Sequence, residues 1–258
     1  MKMYHPIQEL EATGIVTAGV SLRCGGVSPT PYASLNLAEH VGDDPNAVAA
    51  NKALFFQQTG LADLYYCHQI HSAEVIDVHE EVPAIPELRP EADALVSARC
   101  GVTLGIFTAD CVPVFILDVA TPAIGIVHAG WRGTFAGIAV NALTQMETLF
   151  GTLAANCQIH LGPSIQKCCY TVSTELLAQF TERFGSTVRN GTNLSLQAAN
   201  INQLIEIGLP LASISVSPFC TACRTDLFYS HRAENGQTGR MLSFINLSVK
   251  TPCFSLGM

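Results

Sequence analysis

Two imidazoles and a thiol stand in three short, chemically loaded phrases of this chain. His71 lies in Gln69-Ile70-His71-Ser72, Cys111 in Thr108-Ala109-Asp110-Cys111-Val112-Pro113, and His128 in Val127-His128-Ala129-Gly130-Trp131-Arg132-Gly133. Two histidines and one cysteine form a three-ligand set for zinc. Such a set leaves the fourth tetrahedral position to water or substrate, the pattern of a catalytic rather than a structural site. The three residues are far apart in sequence, so the reading requires a fold that brings three strand ends together. Taken singly, each has a plainer role. Cys111 can be a small buried hydrophobe, and His128 a hydrogen-bonded core histidine. His68 can ligate as well as His71, and on a strand the two face opposite ways, so only one of them joins a given metal.

Other groups in the same phrases could do chemistry. His128 ends an apolar strand-like run and is followed by Gly130 and Gly133, which let the backbone turn into a helix. A helix N-terminus presents unpaired N–H groups to a phosphate or carboxylate, and Arg132 in that turn can add a bidentate contact. The alternative is a packing turn with a solvated Arg132. Trp131 is either a stacking platform for a flat base or a core aromatic. Asp110, beside Cys111, is either a proton carrier or a residue that orients His128 or caps a turn.

The elements that must position these groups read as follows. Thr13 to Leu22 is β-rich and ends in the turn Arg23-Cys24-Gly25-Gly26. Asp44 before Pro45 is an N-cap followed by proline at the first helical position, so Pro45 to Gln58 reads as a helix closed by Gly60. Leu64 to Val78 reads as two strands or one bent strand, with His71 at the bend, and Val82 to Pro90 as a loop. Four apolar β runs follow, at 93–97, 102–108, 114–118 and 123–127, with Pro113 expected to interrupt pairing because it lacks a ladder donor. A helical run spans 134–149, a strand 157–161, helices 173–184 and 196–207, and strands 213–216 and 241–247. No repeat or composition shift divides residues 1–258. The expectation is one α+β domain with mixed β-sheets flanked by helices.

Composition excludes several classes. Of 258 residues, 48% are hydrophobic and 13% charged, which favours a dense core over disorder. No apolar run reaches the roughly 18 residues that a membrane span requires. The formal net charge is -8 and no basic run exists, so a nucleic-acid groove is not expected. Ten cysteines without a recognisable secretion signal point to the cytoplasm. Cys220-x-x-Cys223 has no matching second pair, so a closed four-cysteine zinc site is not expected, and Cys168-Cys169 reads as packing. A monomer is the default.

Several phrases recur in a fixed order: Arg23-x-Gly25-Gly26-Val27-Ser28, Tyr32-Ala33-Ser34-Leu35-Asn36-Leu37, His40-Val41-Gly42-Asp43, Gln69-Ile70-His71, Thr108-Ala109-Asp110-Cys111-x-Pro113, His128 to Gly133, Gly162-Pro163-Ser164-Ile165 and Thr238-Gly239-Arg240. This series resembles the laccase-domain family, labelled polyphenol oxidase and later assigned as purine nucleoside phosphorylases. The resemblance runs from about Thr13 to Asn246. It implies that His71, Cys111 and His128 are a zinc triad and prefers His71 over His68. It also implies phosphorolysis of adenosine, inosine and methylthioadenosine to free base and ribose 1-phosphate, together with adenosine deamination. In this reading Arg23, Asn36, Gln69 and Arg232 contact nucleoside or phosphate, while Cys111, Asp110 and Arg132 carry catalysis. The chain departs from the family pattern at Lys52, at Cys24 and at Ser230-His231-Arg232-Ala233, of which the last bears on the pocket rim.

The residues also weigh the alternatives. Multicopper oxidation needs many imidazoles, largely in His-x-His pairs. This chain has eight histidines and no His-x-His, so only a weak oxidation by copper occupying the zinc site in vitro is compatible. The Pro-Cys-x-x-Cys phrase that completes the signature of cytidine-type deaminases is absent. A cysteine hydrolase built on Cys111 and His128, acting on cell-wall precursors, would need the same convergence.

Overall fold

The computed structural model describes residues 3–61, 64–79 and 89–248. The N-terminal half runs β1 (Tyr4–Pro6), α1 (Gln8–Glu11), β2 (Val16–Ser21), α2 (Pro45–Thr59), β3 (Leu64–Tyr65), β4 (Val75–Asp77), β5 (Ala94–Ser97) and β6 (Thr103–Thr108). The central part adds β7 (Val112–Asp118), β8 (Ala123–Ala129), α3 (Trp131–Ala136), α4 (Ile138–Phe150) and β9 (Cys157–Leu161). The chain continues with α5 (Thr174–Phe184), β10 (Arg189–Asn190), β11 (Asn193–Leu194), α6 (Leu196–Glu206), β12 (Ile214–Val216) and β13 (Met241–Leu247).

Two mixed sheets carry the architecture. One has the order β1-β2-β13-β6-β3 and the other β12-β9-β7-β8-β5-β4, with parallel pairs β3–β6, β12–β9 and β4–β5 among antiparallel ones. Alternation along the strands sorts the core into layers. Val114 and Ile116 of β7 pack with Ile138 and Met146 of α4 and with Phe180 and Leu204 of α5 and α6. Their neighbours Phe115 and Leu117 face the other sheet, meeting Val20, Leu104 and Ile245. On the far side of that second sheet, Phe107 and Phe244 pack against Phe55 of α2. The result is the expected α+β fold, with both sheets covered on both faces. That is why β7 and β8 read as unbroken apolar runs.

Several boundaries follow from local chemistry. The Asp44 side chain accepts the Asn46 N–H, Pro45 opens α2, and Gly60 closes it at φ 67°. Ser173 and Ser195 cap α5 and α6 in the same way. The single helix expected over 134–149 is instead two, because Gly137 breaks the run at φ 82°. Leu64 to Val78 contributes two short strands to different sheets, with His71 in the loop between them. Most of the loop expected over 82–90 lies outside the described residues.

Pro113 does not interrupt pairing. It sits within β7 opposite His128, and its carbonyl accepts the Gly162 N–H at 2.8 Å, just past the end of β9. Its nitrogen faces the same Gly162, beyond the last paired residue of β9, so the missing donor costs no bond to a residue of the strand itself. A Cβ on Gly162 would lie 2.8 Å from the proline Cγ, so the ring also dictates the glycine.

Candidate metal centre

The site forms where β7 begins and β8 ends. Alternation along β8 places His128 on the same face as Ile126, toward the second sheet, and Cys111 immediately precedes β7. The His71 loop closes over them, with the two imidazole centroids 4.9 Å apart. One ligand atom each from His71, Cys111 and His128 lies within 4.8 Å of the others. His68 stands elsewhere, in a bridge with Glu91 beside a cavity.

A carboxylate that sequence reasoning missed, Asp93, holds this set together. One of its oxygens, Oδ1, pairs with His128 Nδ1 at 2.8 Å. The other, Oδ2, accepts the N–H groups of Ile70 and Ser72 at 3.2 and 2.5 Å and the Ser72 hydroxyl at 2.8 Å. These bonds clamp the backbone on both sides of His71, which adopts φ 60°. A left-handed non-glycine residue costs about 1–3 kcal/mol unless its surroundings enforce it. With Nδ1–H given to Asp93, His128 presents Nε2 to an ion, the arrangement typical of metal-binding histidines.

Electrostatics prepare the same set. Burial favours the neutral Cys111 thiol, but the facing His128, with His71, brings its pKa down to about 6. Burial disfavours His128 cation, yet Cys111 and Asp93 raise its pKa to about 9. Burial of Asp93 is likewise outweighed, by the His128 and Ser72 bonds, and its pKa falls to about 2. Without an ion, the mutual attraction of Cys111 and His128, braced by the Asp93 carboxylate, favours thiolate and imidazolium over the neutral pair.

Gly130 and Gly133 do not serve the turn as expected, since neither has a positive φ. They serve close approach. A Cβ on Gly130 would lie 3.0 Å from His71 Cδ2 and 3.1 Å from Cys111 Sγ, and one on Gly133 would lie 2.9 Å from the Ser72 carbonyl. The space kept clear by Gly130, two nitrogens and one thiolate are a fitting donor set for zinc.

Asp110 also takes a left-handed conformation, φ 90°. Its carboxylate accepts the Thr221 hydroxyl at 2.6 Å, the Ser230 hydroxyl at 2.8 Å and the Arg232 N–H at 2.7 Å. It thus pins two loops, at Thr221 and at Ser230–Arg232, around Cys111, while the task of orienting His128 falls to Asp93. Arg232 donates to the Thr171 carbonyl and lies over the Tyr170 ring at the rim.

Other expected contacts turn inward. Arg23 pairs with Glu234 at 2.9 Å, donates to Ala33 and Thr225 carbonyls, and stacks on Tyr229. Asn36 is fully buried, with its amide shared among Ala38, Asp43 and the Arg240 N–H. Gln69 bonds both the N–H and the carbonyl of Phe107, at 2.7 and 2.9 Å, tying the His71 loop to β6. Arg132 is exposed over the ring of its neighbour Trp131. These placements give Arg23, Asn36 and Gln69 structural duties, while Arg132 stays at the surface on Trp131.

Arg240, in the phrase Thr238-Gly239-Arg240, was not singled out from sequence. Burial lowers its pKa, while the charges of Cys111 and Asp110 oppose that shift, so the guanidinium lies within their field. Burial and the Cys111 charge push the nearby Tyr170 phenol up to about 12, keeping it a hydrogen-bond donor. On the Gln69 side lies a cavity of about 460 Å³ lined by residues that include His40, Tyr66, His68, Gln69 and Phe107. Burial and Arg240 hold His40 below the ordinary imidazole value.

Among the described residues, one further group gathers metal-ligating side chains: Cys168, Cys169, Cys220 and Cys223. Neither group has the many imidazoles of a multicopper centre. No described helix is long and apolar enough to cross a membrane.

Comparison with known proteins places this geometry. The chain is 34% identical over 243 residues to purine nucleoside phosphorylase YlmD of Geobacillus stearothermophilus, covering 88% of this chain and 89% of that one. It is 33% identical over 229 residues to adenosine deaminase RL5 of an unknown prokaryotic organism, covering 83% and 87%. The crystal structure of the Bacillus licheniformis hypothetical protein YfiH superposes with a TM-score of 0.90 at 31% identity, covering 96% and 97%. The family model described as multi-copper polyphenol oxidoreductase laccase matches residues 17–248, and the chain belongs to that family.

Proposed function

We propose that this chain is a zinc-dependent purine nucleoside enzyme of the cytoplasm. It cleaves adenosine, inosine and methylthioadenosine with phosphate to give free base and pentose 1-phosphate, and it deaminates adenosine. The convergence of His71, Cys111 and His128 over Asp93 carries the reading. The names of the relatives supply the substrate class. A working Cys111 thiolate also suits a reducing compartment.

When bound, the ion supplies Lewis acidity at its open coordination position. The protein's own groups do the rest. In phosphorolysis a phosphate oxygen bonds to C1′ as the C1′–N9 bond breaks, and the electron pair leaves with the base. Arg240 and Arg232, flanking the Asp110–Cys111 turn, are suited to hold the phosphate dianion. In deamination water adds at C6, ammonia departs, and one proton passes from the attacking water to the amine. Asp110 already accepts three hydrogen bonds, so in this chain it acts chiefly by positioning Cys111 and Arg232. The cavity beside Gln69 and Phe107 is of a size suited to a small molecule.

Incubation of zinc-loaded protein with inosine or adenosine, with and without phosphate, tests this. Phosphate-dependent release of hypoxanthine or adenine is expected, as is inosine from adenosine without phosphate. Absence of both products, with His71→Ala and Cys111→Ala matching the parent, would refute the reading.

One observation favours a second reading. Cys111, His128 and Asp93 also form a thiolate–imidazole–carboxylate series, which suits a cysteine hydrolase, with cell-wall precursors as its substrates. Metal content separates the two, because stoichiometric zinc lost on Cys111→Ala belongs to the metal reading alone.

A further inference from the structure

Four cysteines outside the triad come together in a way their spacing concealed. Cys168 and Cys169 lie in the segment after β9, where the Cys169 and Tyr170 N–H groups both bond the Gln166 carbonyl. Cys220 and Cys223 bound a tight turn after β12, closed by bonds from the Cys223 and Arg224 N–H groups to the Cys220 carbonyl. A parallel bridge between Ser164 and Cys220 lays one segment on the other. Cys223 Sγ is then 3.7 Å from Cys168 Sγ and 3.3 Å from Cys169 Sγ, and all four sulfurs lie within 4.8 Å of one another.

Tetrahedral zinc with Zn–S bonds of about 2.3 Å needs S···S separations of about 3.8 Å. The two shortest contacts, 3.3 and 3.7 Å, fall just below that value, and no pair exceeds 4.8 Å. Cys168 and Cys223 are exposed, so packing does not explain why they meet Cys169 and the buried Cys220. The Gln166 N–H also points at Cys220 Sγ, at 3.4 Å, as an outer-shell donor to a ligating sulfur would.

We propose that Cys168, Cys169, Cys220 and Cys223 bind a second, structural zinc ion. Binding releases the thiol protons to solvent and leaves no open coordination position. The site fastens together two segments that border the first centre. Thr221, next to Cys220, donates to Asp110, and Thr171, two residues beyond Cys169, accepts from Arg232. The ion therefore acts as a staple for the loops that hold Asp110 and Arg232, and it takes no part in bond breaking.

The test does not depend on nucleoside turnover. Full-length protein, purified with reductant and zinc and passed over a desalting column, should carry two zinc ions per chain. His71→Ala/Cys111→Ala should keep one, and adding Cys168→Ser and Cys223→Ser should remove it. Cobalt in the His71→Ala/Cys111→Ala protein should give the strong sulfur-to-metal charge-transfer and visible bands of a tetrahedral thiolate site. In the parent protein, zinc should shield these four cysteines from N-ethylmaleimide until a chelator is added. The proposal is overturned if the parent carries one ion or none. It is equally overturned if the four thiols are alkylated at the same rate with and without zinc, or if peptide mapping finds them as disulfides in the zinc-loaded protein.

Discussion

Asp93 holds both histidines of the candidate centre, one through its ring and the other through its backbone. Oδ1 meets His128 Nδ1 at 2.8 Å while Oδ2 ties the N–H groups on either side of His71. One carboxylate thus fixes a tautomer and a loop at once. Asp93→Asn is expected to weaken zinc binding by about 10–100-fold, measured by competition with a chromogenic chelator. Far-ultraviolet circular dichroism should stay at the parent value at neutral pH.

The same residue shapes acid stability. A carboxyl whose folded pKa, about 2, lies below its ordinary value of 3.8 contributes stability that is complete above 3.8. That contribution is lost as pH falls through about 2. Urea titrations of the metal-free protein between pH 5 and 2 should show stability falling more steeply for the parent than for Asp93→Asn.

Cys111 should betray its surroundings through reactivity. In metal-free protein its alkylation by iodoacetamide should rise through about pH 6, since the thiolate forms above the pKa. His128→Ala removes the main stabilising charge and should move the midpoint upward. Zinc should suppress the reaction in the parent. Peptide mass spectrometry after timed quenching reads all three effects.

Gly130→Ala introduces a methyl group within 3.0 and 3.1 Å of His71 and Cys111. The backbone there is at an ordinary φ of -72°, so alanine strains the donor set rather than the chain. Zinc stoichiometry should fall, while the melting temperature of the metal-free protein changes little.

Arginines should separate by role. Arg240→Gln is expected to raise the KM for phosphate with little change in stability. Arg23→Gln breaks a mostly buried pair with Glu234 and should destabilise the fold by about 3 kcal/mol. For folded Arg23→Gln molecules the phosphate KM should be unchanged. Steady-state kinetics and urea denaturation distinguish the two.

Much of this was legible in the chain. The apolar runs of β5 to β9 and β13, and the Asp44 cap of α2, sit where periodicity and capping chemistry put them. The convergence of His71, Cys111 and His128 was legible too, through their phrases rather than their spacing. What stayed hidden depends on tertiary approach. Asp93 looked like any residue before a strand, because the pairing of β5 with β8 alone puts it under His128. Asn36 and Gln69 looked ready for substrate, yet each satisfies backbone groups that the fold would otherwise leave buried. Cys168 and Cys169 carry no local motif, and only the bridge between Ser164 and Cys220 shows that they face Cys220-x-x-Cys223. The sequence likewise lacked any sign that Pro113, inside β7, lies opposite Gly162, just past the end of β9.

The grip of Gln69 on Phe107 has a consequence for how finished molecules are told from unfinished ones. It ties the His71 loop to one sheet, while Asp93 ties the same loop to the sheet that carries His128 and Cys111. A chain whose sheets have not yet docked holds the His71 loop from one side only. The donor set then reaches its full rigidity only when both sheets grip the loop, so metal affinity reports completed assembly.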